Sequence, residues 1–247
     1  MFMMFAMTTD AVGVIIPELM KSFNLNMTTA GMIHYMPMIA IALSGVFLGF
    51  LADKLGRKAT IILGLIVFAV NSYLYIVANT YGFILTLMAV GGLSIGVFKT
   101  GALALISDIC GSTKQHTSTM NAVEGFFAVG AIIGPFLVTY LLSESVRWQW
   151  LYVIAGSLCI LLIFMALLVR YPETKTSSQE PINLSRTMSM LKDPYALGFS
   201  IGAFLYVAVE CAVYVWMPTL IEKYTGNLIF IATYSLSIFF ILRALGR

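Results

Sequence analysis

The sequence predicts an all-α protein that crosses a membrane several times. The chain has 247 residues, of which 60% are hydrophobic and 10% are charged, and its mean hydropathy is +0.94. A soluble domain has about 25% charged residues, so this chain has too few to cover a water-facing surface. Runs of about 20 apolar residues, the length that spans a bilayer, recur between short polar loops.

Eight apolar segments are predicted to be spanning helices. The first is short, because the 16 residues before Pro17 would reach only about 24 Å as a helix, less than the roughly 30 Å of a hydrocarbon core. Pro17 is expected to end this helix, since proline lacks the backbone N–H used inside a helix. The predicted spans are residues 1–17, 30–52, 59–79, 82–107, 118–142, 149–169, 196–218 and 228–246.

The distribution of lysine and arginine predicts the orientation. Because basic loops stay in the cytoplasm, the N-terminus is predicted to be cytoplasmic, in an inner or plasma membrane. Only Lys21, Arg147 and Lys223 lie on the other side. The residues on the predicted cytoplasmic side are Lys54, Arg57, Lys58, Lys114, Arg170, Lys175, Arg186, Lys192, Arg243 and Arg247.

A long polar segment at residues 170–195 divides the chain. The predicted units are a six-helix transmembrane bundle at 1–169, a central cytoplasmic loop at 170–195, and the start of a second bundle at 196–247. No leader peptide is predicted at the N-terminus, because no basic segment precedes the first apolar run.

The seventh and eighth spans repeat the first and second. Residues 12–26 align without gaps on residues 213–227, which places Pro17 opposite Pro218, and each proline is expected to end its helix. Leu-Gly-Arg at 55–57 recurs at 245–247. Transporters built from two parallel six-helix repeats show this pattern. Because the second copy stops after its second helix, we expect a truncated form of a longer transporter. A complete eight-helix protein is the alternative.

Residues 49–58 carry the most specific motif, Gly-Phe-Leu-Ala-Asp-Lys-Leu-Gly-Arg-Lys. This pattern resembles the signature of the major facilitator superfamily between its second and third helices. The resemblance covers the whole chain and implies the major facilitator fold, here as an N-terminal six-helix bundle plus two helices of the second. It also implies a gating set on the cytoplasmic side, namely Gly49, Asp53, Gly56, Arg57, Lys58 and Asp108.

Within that set, the resemblance implies particular contacts. Asp53 would pair with a cation and with the positive N-terminal end of a neighbouring helix, latching the two halves together. Arg57 would bind Asp108 at the end of the fourth span. Arg243 occupies the place of Asp53 in the second copy, so a second latch would be degenerate.

Three segments are similar to the fucose–galactose–glucose:proton symporter family: residues 121–135, 204–220 and 235–247. The fifth helix lacks the upstream glycine and the trailing Gly-Gly of the drug:proton antiporter pattern. Only Gly130, Gly134 and Pro135 fit that pattern, which disfavours an exporter. The resemblance implies proton symport of a sugar.

Four ionisable residues lie inside predicted spans: Asp10, Lys99, Glu124 and Glu210. An Asp or Lys at a helix centre costs about 2.5–3.5 kcal/mol on insertion scales, so we expect the four to face a shared aqueous cavity. Buried ion pairs that only fix helix packing are the alternative. Glu124 and Asp10 are the favoured proton carriers, because burial and a nearby cation change the proton affinity of a carboxyl group in opposite directions.

The repeat aligns Thr9 with Glu210 and Asp10 with Cys211. The acids Asp10 and Glu210 are therefore expected to approach each other from opposite halves.

Lys99 departs from the family pattern. The fourth helix of fucose-permease-like proteins carries an acid within G-x-x-[E/D]-x-x-x-N, and here Lys99 and Leu103 occupy the two specific places. Gly13 likewise stands where the first helix of those proteins has an acid. Lys99 either binds an anionic group of the substrate, which would point to a sugar acid or another organic anion, or neutralises Glu124 or Asp10.

Polar and aromatic residues complete the predicted pathway. Asn121 shares a helix face with Glu124, and Tyr206 lies one turn from Glu210. Trp216 would stack on a sugar ring, although anchoring at the membrane interface is the alternative for both aromatic residues. His34 is expected to be solvated at the outer end of the second span.

The predicted function is secondary active transport of a small polar solute (a sugar, sugar acid or related organic anion) by proton symport with alternating access. An exporter of the same superfamily and a truncated, non-transporting product are the alternatives. We predict no catalytic residue, no metal site and no cofactor, with the proton as coupling ion, and the dispersed Cys110, Cys159 and Cys211 as inert thiols. The predicted partners are the solute and the lipid bilayer, without nucleic acid, and the full-length protein is expected to be a monomer.

Overall fold

A computed structural model describes residues 1–169, 171, 192–222 and 224–245, and every regular element in these ranges is helical. Seven of the helices are long and apolar enough to cross a membrane, so the chain is a multi-pass membrane protein. Most of the predicted central loop at 170–195 lies outside the described residues, as do Lys223 and the second Gly-Arg pair at 246–247.

The helices follow one another with short connections. They are α1 (Phe2–Thr9), α2 (Val12–Phe23), α3 (Met27–Leu48), α4 (Leu51–Lys54), α5 (Arg57–Leu74) with a 3₁₀ turn at Tyr75–Val77, α6 (Tyr81–Ile109), α7 (Thr113–Ser143), α8 (Trp150–Leu168), α9 (Pro194–Ile221), α10 (Ile229–Thr233) and α11 (Ser235–Leu245).

The first span does not end at Pro17. Helices α1 and α2 form one span of 22 residues, Phe2–Phe23, which is interrupted at Asp10 and Ala11. Pro17 lies inside α2 and Pro218 inside α9, so the prediction that both prolines end a helix is wrong. Membrane helices tolerate proline because neighbouring groups compensate for the lost backbone hydrogen bond. The prediction of a short first span is therefore wrong as well.

The predicted eighth span is divided at Tyr234. Helix α10 has five residues and α11 has eleven, and α11 is apolar but shorter than a spanning helix. Within the described residues, seven spans rather than eight reach the length that crosses a bilayer.

Close helix packing builds the first bundle. Helix α6 packs between α3 and α5, α5 also packs against α8, and α1 packs against α7. Gly130 and Gly134 of α7 face the carbonyl oxygens of Met3 and Met7, and a Cβ atom at either glycine would collide with them. The Gly-x-x-x-Gly pair therefore lets the α1 and α7 backbones touch, as small residues do between membrane helices.

The second half (α9–α11) meets the first half (α1–α8) mainly through two pairs of helices. Helix α9 packs on α2, and α11 packs on α7. We call the end of the molecule that carries residues 49–58 the motif end. The end where α2 and α9 finish is called the opposite end. The charged and polar residues of interest lie at these two ends and at the junction between the halves.

Candidate functional site

The first span is interrupted beside Asp10. Thr8 Oγ1 donates to the carbonyl oxygen of Phe5 at 2.9 Å, a side-chain bond that competes with helical hydrogen bonding and often bends membrane helices. Thr9 Oγ1 lies 3.2 Å from the same oxygen and 3.1 Å from Asp10 Oδ1, so its single proton can serve only one of them. Asp10 is 6% exposed. The interruption therefore holds a carboxyl group inside the protein.

Arg243 joins Asp10 and Glu210 in one cluster of charges. Its Nη2 atom lies 2.5 Å from Glu210 Oε1, and the two side chains are 18% and 11% exposed. Asp10 interacts electrostatically with both. Asp10 belongs to the first half, whereas Glu210 and Arg243 belong to α9 and α11 of the second. The structure thus brings Asp10 and Glu210 together from opposite halves, with an arginine beside them.

Tyr214 extends this cluster towards the opposite end. Its hydroxyl group lies 3.3 Å from His34 Nε2 and accepts a hydrogen bond from Cys211 Sγ at 3.4 Å. The same hydroxyl interacts electrostatically with Asp10 and Glu210. Tyr214 therefore connects the charged cluster of the second half to helix α3 of the first.

The prediction that His34 is solvated is wrong. His34 is 2% exposed, because α9 covers it and the Tyr214 ring lies edge-on to the imidazole at a centroid distance of 5.3 Å. Its Nδ1 atom is buried and has no hydrogen-bond partner among the described residues.

The other predicted ionisable residues lie nearer the motif end. Lys99 is half-buried on α6 and follows Phe98. The rings of Phe98 and Phe5 are in contact, with a centroid distance of 5.6 Å. Asn121 and Glu124 are exposed in the first half of α7. The described residues contain no ion-pair partner for Lys99, so this structure does not show Lys99 neutralising Asp10 or Glu124.

The two predicted aromatic residues occupy different surroundings. Tyr206 is 53% exposed, in a stretch of α9 where residues 194–209 are exposed except for the half-buried Ala196. Trp216 packs over Gly31 of α3, where a Cβ atom would lie 3.1 Å from two indole carbons. In this conformation Trp216 is a contact between the two halves.

Arg57 organises the motif end. Its Nε atom donates to Asp108 Oδ2 at 2.8 Å and its Nη1 atom to Asp53 Oδ1 at 2.6 Å. The contact expected between Arg57 and Asp108 is present, and it joins α5 to α6. Gly56 precedes Arg57 with φ of 85°, a conformation that favours glycine. All these groups belong to the first half, and the latching role of Asp53 stays a prediction.

Lys58 and Gly49 have structural contacts at the same end. Lys58 Nζ donates to the carbonyl oxygens of Leu167 and Val169 at 3.0 and 3.1 Å, at the C-terminal end of α8. A cation at this position satisfies the last carbonyl groups of a helix and interacts favourably with its dipole. Gly49 follows α3, and a Cβ atom there would lie 2.7 Å from the carbonyl oxygen of Gly45.

The two halves touch at the opposite end. Lys21 of α2 forms an ion pair with Glu222, just after α9. The carbonyl oxygen of Tyr214 lies so close to Gly13 that any Cβ atom there would collide with it. A cavity of about 360 Å³ opens beside these contacts. Its walls include Val14, Pro17, Thr139, Ser143, Pro218, Glu222, Tyr224 and Thr233.

Sequence reasoning missed three residues of the central cluster. Arg243 was counted as a loop charge although it lies inside the predicted eighth span, His34 was expected in water, and Tyr214 was not singled out. A basic residue inside an apolar run is the signal that identifies Arg243, because such charges almost always face the interior of the bundle. The described residues contain no group of His, Cys, Asp and Glu side chains that could hold a metal ion.

Comparisons with known proteins identify related chains. A family model described as the Major Facilitator Superfamily matches residues 1–247. Quinolone resistance protein NorA of Staphylococcus aureus is 29% identical over 171 residues, which cover 68% of this chain and 43% of NorA. Protein TsgA homolog of Buchnera aphidicola is 21% identical over 227 residues, which cover 90% of this chain and 56% of that protein.

The chain therefore spans about half the length of the curated relatives it matches. Among solved structures, the D-xylose-proton symporter superposes with a TM-score of 0.69, covering 99% of this chain and 64% of that one. The sequence identity is 12%, so this likeness concerns the fold alone.

Proposed function

Because the chain belongs to the Major Facilitator Superfamily, we propose that the full-length protein is a secondary active transporter that couples solute movement to proton movement. The observation that carries this proposal is the buried cluster of Asp10, Glu210 and Arg243 at the junction of the two halves. Charged groups inside a membrane are costly and are typical of substrate and proton pathways.

The charge balance of the cluster explains how it would couple. With both acids ionised, the three groups carry one excess negative charge, and one proton on Asp10 makes them neutral. Because burial disfavours net charge, a neutral cluster fits a closed, dry junction and a charged cluster fits a junction open to water. Proton binding at Asp10 would thus favour the movement of one half against the other.

The proposed substrate is a small polar solute, namely a sugar, a sugar acid or a related organic anion. Lys99 supports a substrate that carries an anionic group, because this lysine is half-buried on α6 without an ion-pair partner among the described residues. The similarity of residues 121–135 and 204–220 to sugar:proton symporters supports the same class. Glu124, which is exposed on α7, is proposed as a second proton-binding group nearer the motif end.

Transport by the full-length protein in proteoliposomes tests this function. We expect an imposed pH gradient to drive accumulation of a labelled sugar or sugar acid from a substrate panel. Asp10→Asn should abolish gradient-driven accumulation while keeping solute exchange between equal concentrations, because exchange needs no net proton movement. Glu144→Gln, which removes an exposed acid after α7, is the matched control. Full accumulation by Asp10→Asn would refute the assignment of the proton to Asp10.

Proton-driven export is a second candidate function. The identity of 29% over 171 residues to a quinolone resistance protein favours it. The same proteoliposomes distinguish the two directions, because a symporter moves solute in the same direction as the protons and an antiporter moves it in the opposite direction. Raised quinolone tolerance of cells that express the full-length protein, without gradient-driven sugar accumulation, would favour export.

We also propose that the protein lies in the cell membrane with a cytoplasmic N-terminus. The basic loops at 54–58 and 114 support this orientation. In a cysteine-free background, Lys114→Cys should react with an impermeant thiol reagent only in inverted vesicles. Ser145→Cys, in the connection between α7 and α8, should react only in intact cells.

A further inference from the structure

Tyr214 contacts both neighbouring helices of the first half with two different groups. Its carbonyl oxygen lies against Gly13 of α2, and its hydroxyl group is hydrogen-bonded to His34 of α3. Pro218 lies four residues later and has no backbone N–H, so the helix leaves this carbonyl oxygen without its usual partner. The repeat aligns Gly13 with Tyr214, so equivalent positions of the two halves meet here, one without a side chain and one with a large side chain.

The unpaired nitrogen of His34 favours a second arrangement, in which this contact is open. Whichever nitrogen carries the proton, the buried Nδ1 atom lacks a partner among the described residues. A buried polar atom without a partner is unfavourable, and its occurrence calls for an explanation. His34 lies in the first turns of α3 at the opposite end. Separation of α9 from α3 would expose Nδ1 to water, so the open arrangement satisfies the atom that the closed arrangement leaves unpaired.

Charged and titratable groups near the pair lie on α3, α9, α11 and the junction of α1 and α2. Asp10 lies at the junction of α1 and α2, Glu210 and Cys211 lie on α9, and Arg243 lies on α11. Tyr35 of α3 contacts the His34 ring at a centroid distance of 5.6 Å. The Tyr214 hydroxyl is thus placed between the charged cluster and the water of the opposite end.

We propose that Tyr214 and His34 are a positioning pair whose hydrogen bond holds α9 against α2 and α3 and so closes the route from the opposite end to Asp10. The inference rests on the proposed function, because it assigns the pair to the regulation of that same proton site. Loss of the bond leaves the charged cluster intact but lets water reach it from the opposite end. Solute transport then continues, but it is less tightly coupled to proton movement.

A double-mutant cycle tests the pair in the full-length protein. Tyr214→Phe and His34→Leu each remove one partner of the same hydrogen bond. Each should lower gradient-driven accumulation about five-fold, the fold-change that corresponds to one hydrogen bond. The double variant should be no worse than either single variant, because the bond is already lost. His34→Gln, which keeps a hydrogen-bonding group, should recover most of the accumulation.

The position of α9 has a readout of its own. Val14 lines the cavity at the opposite end, so Val14→Cys reports how open that end is. The background carries Cys110→Ser, Cys159→Ser and Cys211→Ser, and the serine substitution keeps a donor beside the Tyr214 hydroxyl. Reactivity of this cysteine with an impermeant thiol reagent should rise about five-fold in Tyr214→Phe and His34→Leu. Tyr35→Phe is the matched control, because it also removes a tyrosine hydroxyl group near His34. Tyr35 is 49% exposed, and its hydroxyl group is not bonded to Tyr214.

Two outcomes overturn the proposal. One is a double variant whose losses are the product of the single losses, which would mean that Tyr214 and His34 act separately. The other is unchanged reactivity of the cysteine at position 14 in both single variants. If the unmodified protein shows no gradient-driven accumulation, the proposed function fails, and the thiol reactivity still decides whether the pair closes the opposite end. Solute exchange by each variant shows that it is folded.

Discussion

Two of the arginines that the structure describes each lie near two carboxylates, one at the motif end and one at the junction of the halves. Arg57 contacts Asp53 and Asp108 directly, and these acids are 50% and 33% exposed. Arg243 contacts Glu210, which is 11% exposed, and lies near the buried Asp10. The first cluster joins helices of one half, whereas the second joins the two halves.

This difference in location changes what the same chemistry does. Exposed ion pairs contribute little to stability, because water and salt screen them. Inside the protein, the loss of one partner leaves an uncompensated charge, which is strongly unfavourable. The Arg57 cluster therefore adjusts the packing of helix ends, whereas the Arg243 cluster makes the contact between halves depend on protonation.

Removal of the arginine at the junction of the halves should have the largest effect. Arg243→Gln leaves Asp10 and Glu210 without their cation, and breaking a buried pair costs about 3–5 kcal/mol. We expect loss of gradient-driven transport and a marked fall in the thermal midpoint of the full-length protein in detergent.

Neutralising the partner as well separates stability from transport. The double variant Arg243→Gln with Glu210→Gln should recover most of the thermal midpoint, because no unpaired charge remains on α9 or α11, while transport stays lost. A thermal midpoint of Arg243→Gln equal to that of the unmodified protein would contradict a buried, energetically important pair.

Removal of the arginine at the motif end should have a smaller effect. Arg57→Gln loses two ion pairs whose acids are partly in water, each worth about 0.2–1 kcal/mol. We expect a nearly unchanged thermal midpoint and a transport rate lowered a few-fold, because the ends of α5 and α6 shift. Lys54→Gln on α4, which removes the same charge from an exposed neighbour, is the control, and an equal loss there would show that only local charge matters.

Salt should distinguish the two clusters without any substitution. At 1 M ionic strength the screening length is about 3 Å, against about 10 Å at 0.1 M. Hydrogen exchange of the α4–α5 segment should become faster at high salt, while that of α9 around Glu210 stays unchanged. The reverse result would mean that water reaches the Arg243 cluster in the resting protein.

The sequence predicted the class of fold because spanning helices depend on runs of apolar residues, which can be counted. It failed at the first span, where the helix is interrupted at Asp10 and Ala11 and then continues through Pro17. The eighth predicted span was also too long, since the chain turns at Tyr234. Both errors concern where a helix is interrupted or turns, which a count of apolar residues does not determine.

The site was predictable where a motif or the internal repeat specifies it. The Arg57–Asp108 contact follows from the pattern at 49–58 and its resemblance to a known family. The repeat alignment correctly indicated that Asp10 and Glu210 approach each other. It gave no sign of Tyr214 or His34, because which face of α9 covers α3 depends on the three-dimensional packing of the two halves.

Lys58 should show the smallest effect and the clearest local one. Its ammonium group caps the carbonyl oxygens of Leu167 and Val169, and a cation at a helix C-terminus contributes about 0.3–1 kcal/mol. Lys58→Gln should therefore speed hydrogen exchange in residues 160–169 and leave transport within two-fold (about 0.4 kcal/mol) of the unmodified protein. Lys114→Gln, at the exposed start of α7, should leave that exchange unchanged. Equal exchange in Lys58→Gln and the unmodified protein would mean that this contact does not stabilise the end of α8.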